Sequence, residues 1–172
     1  MTEKLVSECD DKTAYKVNKR CYETGLSPGE VARRYTDFAK KYDETLSSNR
    51  YIGPDIAANE VALRTLENRR PYIKIIDVAA GTGRVGALLK QKGFRALSAW
   101  TVVVLGTTKL PDCLVSLTIT SPYTLSRHNN HLGRHIDALE PSKGMLDILK
   151  KTGVYSKTYQ EFLGLGKNSI PD

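Results

Sequence analysis

The residues whose types and spacing could do chemistry lie in one glycine-rich stretch, where Gly81-x-Gly83-x-x-Gly86 follows Asp77 by four residues. Glycines at a strand-to-helix turn let the backbone approach a ligand closely and leave N–H groups pointing outward. The same letters satisfy the dinucleotide fingerprint, so a nicotinamide cofactor fits them as well. A carboxylate beside the turn would repel a pyrophosphate but attract an ammonium. Asp77 therefore favours a cationic, sulfonium-bearing ligand, and a tight turn that holds no ligand is the alternative.

A nucleoside ligand also needs an acidic residue at the end of the next strand, usually about 20 residues further on, to bind both ribose hydroxyls. The candidate is Glu140, which lies 57 residues after Gly83. Residues 96–134 differ from their flanks, since these 39 residues hold the only Trp, two of the three His and a single acid. Without them the distance from Gly83 to Glu140 is 18 residues. We therefore predict an insertion at 96–134 within an ordinary strand–helix–strand unit.

The elements before the glycine turn are predicted to be two helices. Ser27-Pro28-Gly29-Glu30 is a helix start, because Ser27 can cap the helix and Glu30 completes a capping box. Large side chains then recur on one helical face: Val31, Tyr35, Phe38 and Tyr42. We expect this stripe to face the core, with Tyr42 at its end as a candidate lid over a ligand. A second helix is predicted from Pro54 to about Asn68, with one recurring set of apolar residues: Ile56, Leu63 and Leu66.

The glycines themselves are predicted to join a strand to a helix. Tyr72 to Val78 is rich in β-branched residues, which is typical of a buried strand. Beyond the turn, Val85, Leu88 and Leu89 have helical spacing, and Gly93 follows as the C-terminal glycine.

Two patterns in the chain resemble a known family. Asp77-x-Ala79-x-Gly81-x-Gly83 resembles motif I of the class I S-adenosylmethionine-dependent methyltransferases, with Ala79 where a glycine is more usual. With 96–134 set aside, KIIDVAAGTGRVGALLKQKGFR and HIDALEPSKGMLDILKKTGVYSKTYQEFLG, preceded by RYIGPDIAANEVA, resemble the methyltransferase-like family that includes the protein encoded in the Williams–Beuren syndrome chromosome region. The resemblance covers roughly residues 1–95 and 135–164 and is most specific from Tyr51 to Gly86.

The resemblance implies an α/β fold, namely a partial Rossmann-like class I methyltransferase fold with N-terminal helices. The helical segment would be residues 1–70, and residues 71–172 would form a partial S-adenosylmethionine-binding domain that contains the insertion. A third strand is predicted at Val154–Lys157. Sheets of this family continue into a second half that faces the substrate, and we expect most of that half to be missing here. We therefore assign no catalytic residue and do not expect this chain to catalyse methyl transfer.

The resemblance also implies S-adenosylmethionine as the cofactor and a set of residues around it. The methionine part would be bordered by five residues of the turn: Asp77, Ala79, Gly81, Thr82 and Gly83. The ribose would be held by Glu140, and the adenosine would be flanked by three residues after it: Pro141, Ser142 and Met145. Three further residues would cover the site from the N-terminal helices: Tyr42, Arg50 and Tyr51. Arg50 could pair with the cofactor carboxylate, and packing at the helix junction is the alternative role of Arg50 and Tyr51.

Other interpretations stay open at this point. The chain could be a non-catalytic cofactor-binding remnant or an unstable splice variant, and an NAD-dependent oxidoreductase is a third alternative. The insertion is rich in Val, Thr, Leu and Ile, which favours a β-hairpin that either protrudes from the sheet or takes the place of the second strand. His128, His131 and His135 share helical spacing, but no acid or cysteine is adjacent, so no metal site is expected.

Composition and charge narrow the class of partner. With 40% hydrophobic and 26% charged residues the chain matches soluble globular proteins rather than disordered or fibrous ones. The net charge of +7 comes from basic residues scattered among acids, so no specific nucleic-acid partner is expected. Three cysteines without a C-x-x-C pair are expected to be reduced. No signal peptide or membrane span is predicted, which favours an intracellular location, cytoplasmic or nuclear. The sequence points to neither a methyl acceptor nor an oligomeric state.

Overall fold

A computed structural model describes residues 18–47, 51–95, 100–103 and 136–163 of the chain. Within these ranges the protein has an α/β architecture of helices and parallel strands. The helices are α1 (Pro28–Thr45), α2 (Gly53–Leu63), α3 (Arg84–Gln91) and α4 (Lys143–Lys151). The strands are β1 (Lys74–Val78), β2 (Trp100–Val103), β3 (Ile136–Leu139) and β4 (Thr158–Tyr159). Two short 3-10 segments, Arg20–Tyr22 and Glu67–Tyr72, precede α1 and β1.

The four described strands form one parallel sheet in the order β2-β1-β3-β4. β1 and β3 are in register, with Asp77 opposite Ala138 and Val78 opposite Leu139. Because the carboxyl ends of parallel strands meet at the same edge of a sheet, the residues that follow β1 and β3 become neighbours. This register brings the glycine turn next to Glu140 although 96–134 separates them in the chain.

The first described part of the predicted insertion adds a strand to the sheet. Residues 100–103 form β2 and pair with β1 on the side away from β3. For these residues both expectations, protrusion and replacement of the second strand, are wrong, since β3 keeps its place beside β1. The physical reason is that β1 has two edges, and β2 satisfies the hydrogen-bonding groups of the edge that β3 leaves free. The rest of the predicted hairpin and the three histidines lie outside the described residues.

Helix α1 starts as its sequence predicts. Ser27 Oγ accepts a hydrogen bond from Glu30 N at 3.3 Å, and Glu30 Oε2 accepts one from Ser27 N at 2.9 Å. The predicted stripe forms, and Tyr42 packs edge-to-face on Phe38 and Tyr35 with ring centroids 5.6 and 6.5 Å apart. These rings are half-buried rather than fully in the core, because α1 contacts the body of the protein mainly through α4.

Helix α2 presents a different face to the core from the one its large residues suggest. The predicted stripe points outward, with Leu63 80% and Leu66 73% exposed, and the helix ends at Leu63 rather than near Asn68. The buried face consists of small residues, among them Ala57, Ala58, Val61 and Ala62. Small side chains let α2 pack closely on α3, and this close approach decides which face turns inward.

The main core lies between α2, α3, β1 and β3, with Leu89, Phe94 and Ile75 almost fully buried in it. Among the described helices, none combines the length and the apolar character that crossing a membrane requires. The predicted third strand at Val154–Lys157 is displaced, since the chain there is irregular and the strand β4 comes slightly later, at Thr158–Tyr159. Val154 is nevertheless buried in the main core.

Candidate ligand site at the glycine turn

The turn between β1 and α3 is built from residues in the left-handed region. Ala79, Gly81 and Gly83 have φ of 56°, 57° and 89°. This conformation costs roughly 1–2 kcal/mol for a residue with a Cβ, which is the physical reason why glycine suits position 79 better than alanine. Ala79 is held in it by a hydrogen bond from its N–H to the carbonyl oxygen of Leu139 at 2.8 Å. The end of β3 therefore fixes the entry of the turn.

The three glycines of the motif have different surroundings. A Cβ built on Gly81 would meet no atom within 4 Å, so the backbone there borders open space. A Cβ on Gly83 would lie 3.0 Å from the ring of Tyr155 and 3.2 Å from Leu149, and one on Gly86 would overlap Tyr155. A ligand could therefore approach the backbone closely at Gly81. Gly83 and Gly86 instead let the turn pack against Leu149 and Tyr155.

Glu140 connects the glycine turn to the loop that follows β3. Its Oε2 accepts a hydrogen bond from Gly81 N at 2.8 Å, and its Oε1 accepts one from Ser142 N at 2.8 Å. The side chain is 6% exposed, and burial raises its pKa while the two backbone N–H groups lower it. Each carboxylate oxygen carries a second lone pair, so both can accept a further hydrogen bond from a hydroxyl group.

Asp77 lies behind the turn. It is 1% exposed, and its Oδ2 accepts a hydrogen bond from the Tyr155 hydroxyl at 2.6 Å. The same hydroxyl accepts one from Gly86 N at 3.1 Å. Burial above all, and the charge of Glu140 to a lesser extent, raise the pKa of Asp77 to about 7, although the hydrogen bond from Tyr155 lowers it. The carboxyl group is therefore enclosed by the protein, and any effect on a ligand would act through charge rather than contact.

The end of α1 and the residues after it cover the other side of the turn. Thr82 Oγ1 donates a hydrogen bond to Asp43 Oδ1 at 2.6 Å. The guanidinium of Arg84 donates to the carbonyl oxygens of Leu46 and, at 3.3 Å, of Tyr51, and its Cζ lies 5.9 Å from the centroid of the Tyr51 ring. Tyr51 is thus fixed against the start of α3.

Tyr42 is near the same groups. Burial raises its pKa, the neighbouring Tyr51, Glu140 and Asp43 raise it as well, and Arg84 lowers it. Arg50, the third residue expected on this side, lies outside the described residues.

The residues after Glu140 separate into two groups. Ser142 caps α4, with its Oγ accepting a hydrogen bond from Met145 N at 3.3 Å, and Pro141 is half-buried beside it. Met145 is 1% exposed, so it packs in the interior beneath the loop and does not line open space. The expected apolar contact of Met145 with an adenosine stays a prediction.

Four residues of this region were not predicted from the sequence: Thr36, Asp43, Arg84 and Tyr155. Arg84 follows the last glycine of the turn and could have been found by position. The others approach from distant segments, and the seven-residue spacing of Thr36 and Asp43 on α1, which puts both on one face, is the only signal that could have found them.

A separate open cavity of about 430 Å³ lies near the start of α1. It is lined by Arg20, Cys21, Glu23, Arg34, Asp37 and Phe38. The Arg34 guanidinium in it is engaged by Glu23 Oε2 at 2.6 Å and by the carbonyl oxygen of Arg20. Within the described ranges, no three metal-ligating side chains come together.

No model of a protein family, no curated protein and no solved structure matches this chain.

Proposed function

We propose that this chain binds S-adenosylmethionine at the glycine turn and that it is a protein of the class I methyltransferase type, in the methyltransferase-like family of the Williams–Beuren chromosome region. One observation carries the proposal: the carboxylate of Glu140 lies beside Gly81, and the backbone of Gly81 borders open space. A nucleoside with a positively charged tail needs a carboxylate to bind its ribose hydroxyls and, next to it, a turn whose backbone the tail can approach closely.

The residues present fit this cofactor. Both oxygens of Glu140 retain a lone pair for the two ribose hydroxyls. Ala79 is exposed and Gly81 is unobstructed, so the turn can border the methionine part. Tyr51 lies against Arg84 at the start of α3 and Tyr42 lies near Glu140, so two aromatic rings that could contact a sulfonium are close to the turn.

Charge favours this ligand over a dinucleotide. Three carboxyl groups surround the turn: Asp77, Glu140 and Asp43. The one guanidinium that the described residues place at the turn, that of Arg84, is directed to backbone carbonyl oxygens. A pyrophosphate would add two negative charges to this environment, whereas a sulfonium and an ammonium would add positive ones. An NAD-dependent activity is disfavoured on this ground.

Bound S-adenosylmethionine supplies an electrophilic methyl group that is transferred by in-line displacement, a step in which positioning supplies most of the acceleration. The residues of this chain would bind the ribose and border the methionine part. None is assigned as a general base, because each acid at the turn already accepts a hydrogen bond from the protein: Asp77 from Tyr155, Asp43 from Thr82 and Glu140 from two amides.

This engagement of all three acids favours a second candidate function, namely cofactor binding without catalysis. The two candidates share one site and differ only in turnover. A label-transfer assay with methyl-labelled S-adenosylmethionine and fractionated cell extract separates them, since only an enzyme moves the label to an acceptor.

The binding itself is tested by calorimetry of the full chain with S-adenosylhomocysteine and, in parallel, with NADH. We expect binding of S-adenosylhomocysteine alone, and a loss of at least about tenfold in affinity for Glu140→Gln and Glu140→Ala, the cost of roughly 1.4 kcal/mol for a lost charged hydrogen bond. Asp147→Asn is the matched control, because Asp147 is an exposed acid on α4 that pairs with Lys143. Binding of NADH alone, or full affinity in folded Glu140→Ala, would refute the proposal.

A further inference from the structure

Helix α1 contacts both loops of the site with two polar side chains. Thr36 and Asp43 are seven residues apart, which places them on the same face about 10 Å apart along the helix axis. Thr36 reaches the loop after β3, and Asp43 reaches the glycine turn. Neither contact was expected from the stripe of large residues on α1.

The hydrogen bonds of Thr36 can be assigned completely. Its hydroxyl donates to the carbonyl oxygen of Ala32 at 2.9 Å, so at its 3.0 Å contact with Ser142 Oγ it must be the acceptor. Its second lone pair accepts from Gly144 N at 3.3 Å. Thr36 therefore holds both Ser142 and the first turn of α4 and has no capacity left for a ligand.

The approach of α1 to α4 at this point is close. A Cβ on Gly144 would lie 2.6 Å from the carbonyl oxygen of Thr36 and 2.9 Å from its Cα. The helices meet backbone to backbone, and this fixes the position of the loop after β3 relative to α1.

At the other end, Asp43 Oδ1 accepts a hydrogen bond from Thr82 at 2.6 Å. Glu140 links the two loops directly, through Gly81 on one side and Ser142 on the other. The hydrogen bonds therefore form a closed ring that runs from α1 through both loops and back to α1.

We propose that Thr36 and Asp43 are positioning residues: helix α1 acts as a brace that ties the outer parts of the two loops together and thereby orients the Glu140 carboxylate. Pairing of β1 with β3 fixes the bases of the loops, and α4 packs on the glycine turn through Leu149. Helix α1 adds a polar side-chain contact to each loop, and Glu140 bridges the loops between these two contacts. The ring of hydrogen bonds forms without any ligand. Its effect on ligand binding rests on the proposed cofactor site.

Amide hydrogen exchange of the full chain tests the brace without any ligand. In Thr36→Val the loss of the hydroxyl should speed exchange not only at Gly144, which Thr36 touches, but also at Gly81, which it does not. In Asp43→Ala the effect should extend from the glycine turn to Ser142. We expect at least about fivefold faster exchange in the distant loop, the equivalent of one hydrogen bond. Exchange that rises only in the contacted loop, or in neither, would overturn the brace.

The conservative and control variants keep the outcome decisive. In the exchange experiment, Thr36→Ser and Asp43→Asn retain the hydrogen-bond acceptors, so their amides should exchange at rates close to those of wild type. Asp37→Ala is the control, since Asp37 is exposed on α1 and pairs with Arg33 of the same helix. If Thr36→Val fails to fold, Asp43→Ala decides alone, because Asp43 is exposed and its truncation leaves the core intact.

Calorimetry then separates this inference from the proposed function. If wild type binds S-adenosylhomocysteine, Thr36→Val and Asp43→Ala should each weaken binding about fivefold or more. The control variant Asp37→Ala should bind with the affinity of wild type. Unchanged affinity in both variants would overturn the positioning role even if the ring is present. If wild type does not bind, the proposed function fails, and the exchange experiment still decides whether α1 braces the two loops.

Discussion

Replacing Asp77 by asparagine removes a buried charge and keeps a carbonyl oxygen that can accept the hydrogen bond from Tyr155. Asp77 is 1% exposed, and burial raises its pKa from 3.8 to about 7. Because the pKa is raised in the folded protein, the folded state holds the proton more tightly than the unfolded state. The contribution of Asp77 to stability is therefore fully present below its ordinary pKa and is lost as the pH rises toward 7.

The magnitude follows from the shift. One pKa unit corresponds to about 1.4 kcal/mol, so a rise from 3.8 to about 7 is equivalent to about 4 kcal/mol. The free energy of unfolding of wild type should fall relative to that of Asp77→Asn by about 1.4 kcal/mol per pH unit across this window and should level off above it. A loss of about 4 kcal/mol is a large part of the stability of a domain, which is about 5–15 kcal/mol.

Urea denaturation of both proteins at several pH values from about 4 to 8 measures this difference in the free energy of unfolding. Groups that titrate in the same way in both proteins do not contribute to the difference. Asp147→Asn is the control. The hydrogen bond from Lys143 lowers the pKa of Asp147 below its ordinary value of 3.8, so the contribution of Asp147 is present throughout this pH range and the gap between wild type and Asp147→Asn should stay nearly constant. Parallel wild-type and Asp77→Asn curves, with a gap that does not change with pH, would refute the reasoning.

Two further predictions concern close contacts of glycines. Gly144→Ala should lower stability by about 1–3 kcal/mol, because its Cβ meets the backbone of Thr36, whereas Gly29→Ala, whose Cβ meets nothing within 4 Å, should be neutral in the same urea titration. Gly86→Ala should destabilise by a similar amount through overlap with Tyr155, and its cost should shrink in a Tyr155→Phe background. Additive effects of these last two substitutions in a double-mutant cycle would contradict the contact.

Local signals in the sequence located the parts of the site that depend on neighbouring residues. The capping box at Ser27 and the strand before the glycines formed as predicted, because capping and β-branched runs act over a few residues. The juxtaposition of Glu140 and Gly81 also followed, since parallel pairing of β1 and β3 brings their ends together whatever lies between them.

The parts that failed depend on packing between distant segments. Spacing alone gave α2 an apolar face, but the alanines on its other side pack closer to α3 and turn Leu63 outward. No residue near Asp77 in the sequence predicts that Tyr155, 78 residues later, donates a hydrogen bond to it and helps to bury it. The pairing of 100–103 with β1 was missed because a strand signal does not say which edge the strand joins.

The charges at the glycine turn give the strongest reason to expect a cationic ligand there. Glu140 raises the pKa of Asp77, so the two carboxylates destabilise each other in their charged forms. In the described part of the chain, the hydrogen bonds that these two carboxylates accept come from neutral donors, namely the Tyr155 hydroxyl and the amides of Gly81 and Ser142. A ligand that brings positive charge into the space beside Gly81 would relieve the repulsion and would bind more strongly for it, whereas an anionic ligand would increase it. The same buried acids that cost stability at neutral pH therefore support the proposed selectivity for a sulfonium over a pyrophosphate.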